Sequence, residues 1–170
     1  VEYLRQHFAI PFVGVVPAIK PAAAFSQGKG FAVLATPATA GGEYMAELIR
    51  QFAPHDSVIK FGSSELVRLA EDKVWYQQDV QQQVSDILSV SPLAEHDSHI
   101  VVLGCTHFPF LAEEIKSALP AATALLETGE AITRRVKQLV GDKLIYKEQY
   151  QHCFISTREL NEAQIKTTRF

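Results

Sequence analysis

Short apolar runs alternate with amphipathic stretches along most of this chain, and that alternation restricts the fold more than any other feature. The runs FVGVV (12–16), FAVLA (31–35), VIKF (58–61), HIVVLG (99–104), TALLE (123–127) and CFIST (153–157) are short enough and apolar enough to be strands buried on both faces. Between them, Tyr44, Met45, Leu48, Ile49 and Phe52 form a helical stripe, and Leu66, Val67 and Ala70 a shorter one. Val80, Val84, Ile87 and Leu88 make a third, and Ala131, Ile132, Val136, Leu139 and Val140 a later one. This pattern predicts an α/β fold, a three-layer domain with a mainly parallel sheet covered by helices on both faces. In such sheets ligands bind beyond the carboxyl ends of the strands.

The segment HIVVLGCTHFPFL, residues 99–111, places a cysteine at one of those ends. Pro109, then Leu111, Ile115, Ala118 and Leu119 at helical spacing, predict a helix soon after the strand. Cys105 then lies at a strand-to-helix junction, where backbone N–H groups and the helix dipole favour a thiolate. Gly104 permits close backbone approach, Thr106 offers a hydroxyl and His107 a titratable ring. A lone cysteine is about as often a core filler as a reactive group, so its company decides the reading. Side chains two residues apart usually point in different directions, which argues against a direct pairing of Cys105 with His107.

Two other strand ends carry polar groups before a predicted helix. After FAVLA come Thr36, Pro37, Ala38, Thr39, Ala40, Gly41 and Gly42, a loop whose hydroxyls and N–H groups can hold a carboxylate or simply cap the next helix. After VIKF, Gly62-Ser63-Ser64-Glu65 reads as a helix start, with Glu71 further along, a position that alone would be a solvated helix charge. Trp75 and Tyr76 read as packing residues, and Cys153 as a buried thiol.

Composition removes several classes of function. A formal net charge of −3 and no basic run give no electrostatic footprint for nucleic acid. The apolar runs are too short to span a membrane, and no signal peptide opens the chain. Two cysteines in 170 residues point to a reducing cytoplasm, and the six histidines show no metal-ligand spacing. No Walker or dinucleotide glycine motif occurs, so nucleotide binding is unsupported. The chain opens on Val1 within a helix-like VEYLRQHF, so the natural start is expected upstream.

Taken together, LGCTHFPFL, PFVGVVPAIKPAA (11–23), VLATPATA (33–40), GSSELVRLAE (62–71) and LLETGEAITRR (125–135) resemble, in order, segments of the glutamate racemase family of the aspartate/glutamate racemase superfamily. Where that family usually has Asp-Ser, this chain has Glu127-Thr128. The resemblance implies a fold of two pseudo-symmetric α/β domains, with residues 1–16 a remnant of the first, 17–121 the second, and 122–170 crossing back to the first. It implies cofactor-independent interconversion of L- and D-glutamate for peptidoglycan by two opposed bases. Cys105 would be one base, His107 and Glu71 its proton partners or tuning groups, and Thr36, Thr39 and Thr106 the substrate-binding residues. The family's first cysteine, in an Ala-Cys-Asn-Thr segment, has no counterpart in this sequence, so the chain alone is expected to be inactive. The alternatives are an aspartate racemase, a cysteine-nucleophile hydrolase and a non-catalytic anion-binding domain. Glutamate is the expected small-molecule partner, without nucleic acid or membrane, and homo-oligomer formation stays open.

Overall fold

The computed structural model describes residues 1–95, 99–122, 124–141, 156–157 and 159–167. They fall into two compact units, one of Val1–Val15 with Gly129–Phe170 and one of Val16–Thr128. Helix α1 (Glu2–His7) opens the first unit, where Arg5 bonds Glu2 at 2.6 Å and the Phe12 carbonyl at 3.1 Å. The expected strand FVGVV does not form, for residues 11–17 have no regular structure. A strand exists only through a hydrogen-bonded partner, and among the described residues none pairs with this run.

In the second unit, α2 (Ile19–Ser26) leads through a left-handed Gln27 into β1 (Phe31–Ala35). Then follow α3 (Pro37–Gly41), α4 (Glu43–Phe52), β2 (Val58–Gly62), α5 (Ser64–Tyr76) and α6 (Gln81–Ser89). β3 (Ile100–Leu103) runs into a 3-10 turn (Phe108–Leu111) and α7 (Ala112–Ala118), and β4 (Ala124–Leu126) completes the sheet. The sequence foresaw neither α2, whose buried face is only Ile19, Ala22 and Ser26, nor α3, which it read as a loop. CFIST lies mostly outside the described residues. The first unit also holds α8 (Gly129–Val140) and α9 (Glu162–Thr167). At the start of α9, Asn161 and Gln164 form a reciprocal capping box, each side-chain oxygen accepting the other's backbone N–H at 3.0 and 3.1 Å.

All four strands are parallel, in the order β2-β1-β3-β4, so the expected α/β parallel-sheet class is correct. Because side chains alternate along a strand, Ala32, Leu34, Val101 and Leu103 meet Leu66, Leu69, Val84, Phe108 and Ile115 on one face. Phe31, Val33, Ala35, Ile100 and Val102 meet Ile19, Ala22, Met45 and Leu48 on the other. The result is a three-layer sandwich, with α2 and α4 against one face and α5, α6 and α7 against the opposite one.

That arrangement fixes where a ligand can enter. The chain leaving β1 turns into the α3 and α4 layer towards β2, whereas the chain leaving β3 turns into the α7 layer towards β4. Neighbouring strands whose connections diverge to opposite faces leave a crevice between their carboxyl ends. Here the connections diverge between β1 and β3.

Candidate active site

The register of β1 and β3 brings the two polar loops side by side. Leu34 pairs with Leu103, and the Gly104 N–H continues the ladder to the Leu34 carbonyl at 2.8 Å. Thr36 and Cys105 are therefore the residues with which these neighbouring strands enter their loops. A side chain at Gly104 would press on Ala35 Cβ at 3.3 Å and Leu34 O at 3.4 Å, so glycine keeps the two strand ends close.

On the β1 side, the Thr36 hydroxyl accepts the Thr39 N–H at 3.3 Å and donates to the Thr39 hydroxyl at 2.9 Å. Thr36 is thus the N-cap of α3, the simpler of the two roles the sequence allowed, while its oxygen and that of Thr39 stay paired beyond the end of β1. Gly62, at the end of β2, lets this loop seat: a Cβ there would stand 2.7 Å from Pro37 Cα. Ser63 follows, its N–H bonded to the Ala35 carbonyl at 3.0 Å and its hydroxyl capping α5 through the Leu66 N–H at 3.2 Å.

On the β3 side, the chain turns at once. The Phe108 N–H donates to the Cys105 carbonyl at 3.2 Å and the Phe110 N–H to the His107 carbonyl at 3.1 Å. α-Helical structure begins only at Ala112, so Cys105 sits in a turn and not at the mouth of an α-helix as the sequence predicts. The turn also reverses the expectation that Cys105 and His107 diverge. Outside a strand, residues two apart need not alternate, and here Cys105 Sγ lies 3.7 Å from His107 Nδ1. His107 Nε2 in turn lies 3.5 Å from Glu71 Oε1 on α5, an ion-pairing distance longer than a good hydrogen bond. Both members are roughly two-fifths exposed, His107 at 37% and Glu71 at 41%, so water screens the contact.

The three groups form a line of sulfur, imidazole and carboxylate. With a neutral ring, the thiol can donate to Nδ1 while Nε2–H faces the carboxylate; with the proton on the ring, Nδ1–H faces a thiolate. Moving one proton from sulfur to ring interconverts these states. Thr106, between the two, is exposed. Among the described residues, no group of three or more His, Cys, Asp or Glu side chains is placed to hold a metal ion. None of their helices is long and apolar enough to cross a membrane.

The sequence reading missed Lys73 and Glu114. Lys73 Nζ contacts both Glu114 carboxylate oxygens, at 2.6 and 2.9 Å, and the Phe110 carbonyl at 2.9 Å. One signal was available: Lys73 occupies the next position on the stripe of Leu66, Leu69 and Ala70, where an apolar residue is expected.

A cysteine, a histidine and a carboxylate thus meet beyond the carboxyl ends of parallel strands, and comparison with known proteins gives the family. The chain belongs to the Asp/Glu/Hydantoin racemase family, whose model matches residues 1–143. Within that family it is similar to the glutamate racemase of Shewanella frigidimarina, 45% identical over 151 residues, which cover 89% of this chain and 58% of that protein. The glutamate racemase of Aliivibrio fischeri is 46% identical over 142 residues, or 83% of this chain and 52% of its own length. Among solved structures, Escherichia coli glutamate racemase in complex with L-glutamate and the activator UDP-MurNAc-Ala superposes with a TM-score of 0.75 and 41% identity. That match covers 84% of this chain and 53% of the other. The chain thus spans about half the length of the relatives it matches.

Proposed function

We propose that these residues supply one half of a two-base glutamate racemase, with Cys105 as the base or acid on one face of the substrate. The observation that carries this is the Sγ to Nδ1 approach of 3.7 Å, continued at 3.5 Å to Glu71, beyond the carboxyl end of β3. Cys105, as thiolate, takes the α-proton of one enantiomer, forming the S–H bond as the C–H bond breaks and leaving the electron pair on the α-carbon. A second acid on the opposite face then delivers a proton and inverts the centre. In the reverse direction Cys105 donates. His107 and Glu71 stand beside the sulfur as its proton partners and orienting groups, and Thr36, Thr39 and Thr106 hold the substrate's charged groups.

The second base, in this reading, is the first cysteine of the family, which this sequence lacks. The family's second domain then takes in residues 17–121 and runs on through β4, residues 1–15 and 129–170 are parts of its first, and the route uses no cofactor. The names of the relatives support glutamate over aspartate, and with it a cytoplasmic enzyme supplying D-glutamate for peptidoglycan.

Proton NMR of L- and D-glutamate in D₂O, with circular dichroism for inversion, tests the proposal. This chain alone should exchange the α-proton of at most one enantiomer. Fused to the N-terminal half of the Shewanella frigidimarina relative, it should invert both. Inversion in both directions by this chain alone, abolished by Cys105→Ala, would refute the half-site reading.

A further inference from the structure

We propose that Lys73 is a positioning residue that holds Glu71 against His107 by clamping α5 to the turn after Cys105. The inference rests on the reading of Cys105, His107 and Glu71 as the reacting cluster. Leu66, Leu69 and Ala70 form the buried stripe of α5, each at most 1% exposed, and Lys73 is the next residue on it. Its aliphatic stem continues the stripe while its ammonium meets three oxygens. Two belong to Glu114 of α7, at 2.6 and 2.9 Å, and one is the Phe110 carbonyl in the 3-10 turn, at 2.9 Å.

The placement of those oxygens gives the clamp its meaning. Phe110 is bonded through its own N–H to the His107 carbonyl, so Lys73 grips the turn that carries the imidazole. Glu71 lies on the same helix as Lys73, two residues earlier. One head group therefore joins the two segments whose side chains meet at 3.5 Å. That contact has little slack, since beyond about 4 Å an ion pair is no longer formed. Stability alone gives weak reason for a charge here, because Lys73, 32% exposed in its side chain, makes an ion pair that water partly screens. Glu114, only 12% exposed in its side chain, completes the clamp by taking the ammonium from the other side.

The test is the rate of Cys105 alkylation by iodoacetamide against pH, followed by peptide mapping, in the folded 170-residue chain. The variants are Glu71→Gln, Lys73→Arg and the double change Lys73→Met with Glu114→Leu. The double change removes one charge of each sign and leaves no orphaned ion, so neither net charge nor a buried charge confounds it. We expect Glu71→Gln to change the rate at neutral pH by roughly threefold or more. The double variant should move the profile in the same direction while keeping the native circular dichroism spectrum, and Lys73→Arg should restore most of the wild-type profile. A purely structural role for Lys73 leaves the profile of the folded double variant at wild type, and that result overturns the inference alone. An unchanged profile in Glu71→Gln overturns both the inference and the reading beneath it. If the double variant does not fold, Lys73→Met with Glu114→Gln, which likewise removes one charge of each sign and every contact of the ammonium, takes its place under the same criteria.

Discussion

Replacing Gly62 by alanine should displace the Thr36–Thr39 loop, and its size follows from the backbone. A Cβ at Gly62 would lie 2.7 Å from Pro37 Cα, 3.0 Å from Pro37 N and 3.3 Å from Thr36 C. All three are main-chain atoms, so no rotamer change relieves the contact. Favourable carbon contacts begin at about 3.5 Å, so Pro37 must retreat by about 0.8 Å. Pro37 is the first residue of α3 and directly follows the cap Thr36, so the hydroxyl pair moves with it. Overpacking of this kind costs about 1–3 kcal/mol. Gly41 is the control: it lies at the end of α3, and a Cβ there meets nothing within 4 Å. Gly41→Ala should be neutral or stabilise by up to about 1 kcal/mol, through the smaller entropy of the unfolded chain. Urea unfolding followed by circular dichroism reads both. A Gly62→Ala variant as stable as Gly41→Ala would refute the claim that Gly62 is needed to seat the loop.

Other consequences can be measured on the same chain. Phe108 is fully buried between the sheet and the α5 to α7 layer, so Phe108→Ala should cost about 3–5 kcal/mol; a loss below about 1 kcal/mol would mean that the turn after Cys105 is not packed as described. Ser63→Ala, which removes the cap of α5, should lower stability by about 1 kcal/mol in urea titrations, and an unchanged midpoint would count against the capping bond. If Cys105 lies in the substrate crevice, saturating L- or D-glutamate should slow its alkylation by iodoacetamide but not that of free cysteine in the same tube. Equal rates with and without glutamate would remove Cys105 from the binding site.

Local pattern determined much of this protein. β1 matches the run FAVLA residue for residue and β3 lies within HIVVLG, because strands buried on both faces must be apolar throughout, while the partly buried edge strands β2 and β4 differ from their runs by a residue or two. The stripes on α4, α5 and α6 were legible for the same reason, as was the cysteine following a strand end. Tertiary structure decided whatever depends on partners distant in sequence. FVGVV has the composition of a strand, yet strand formation requires a neighbour and composition cannot name one. Strand order, and with it the adjacency of Thr36 and Cys105, follows from which apolar faces pack together. Glu71 reads in sequence as an ordinary helix charge and Lys73 as a break in an apolar stripe. Their partners lie 36 residues from Glu71 in His107 and 41 residues from Lys73 in Glu114. Those pairings exist because α5 packs on the turn after β3, and periodicity within either segment carries no information about that contact.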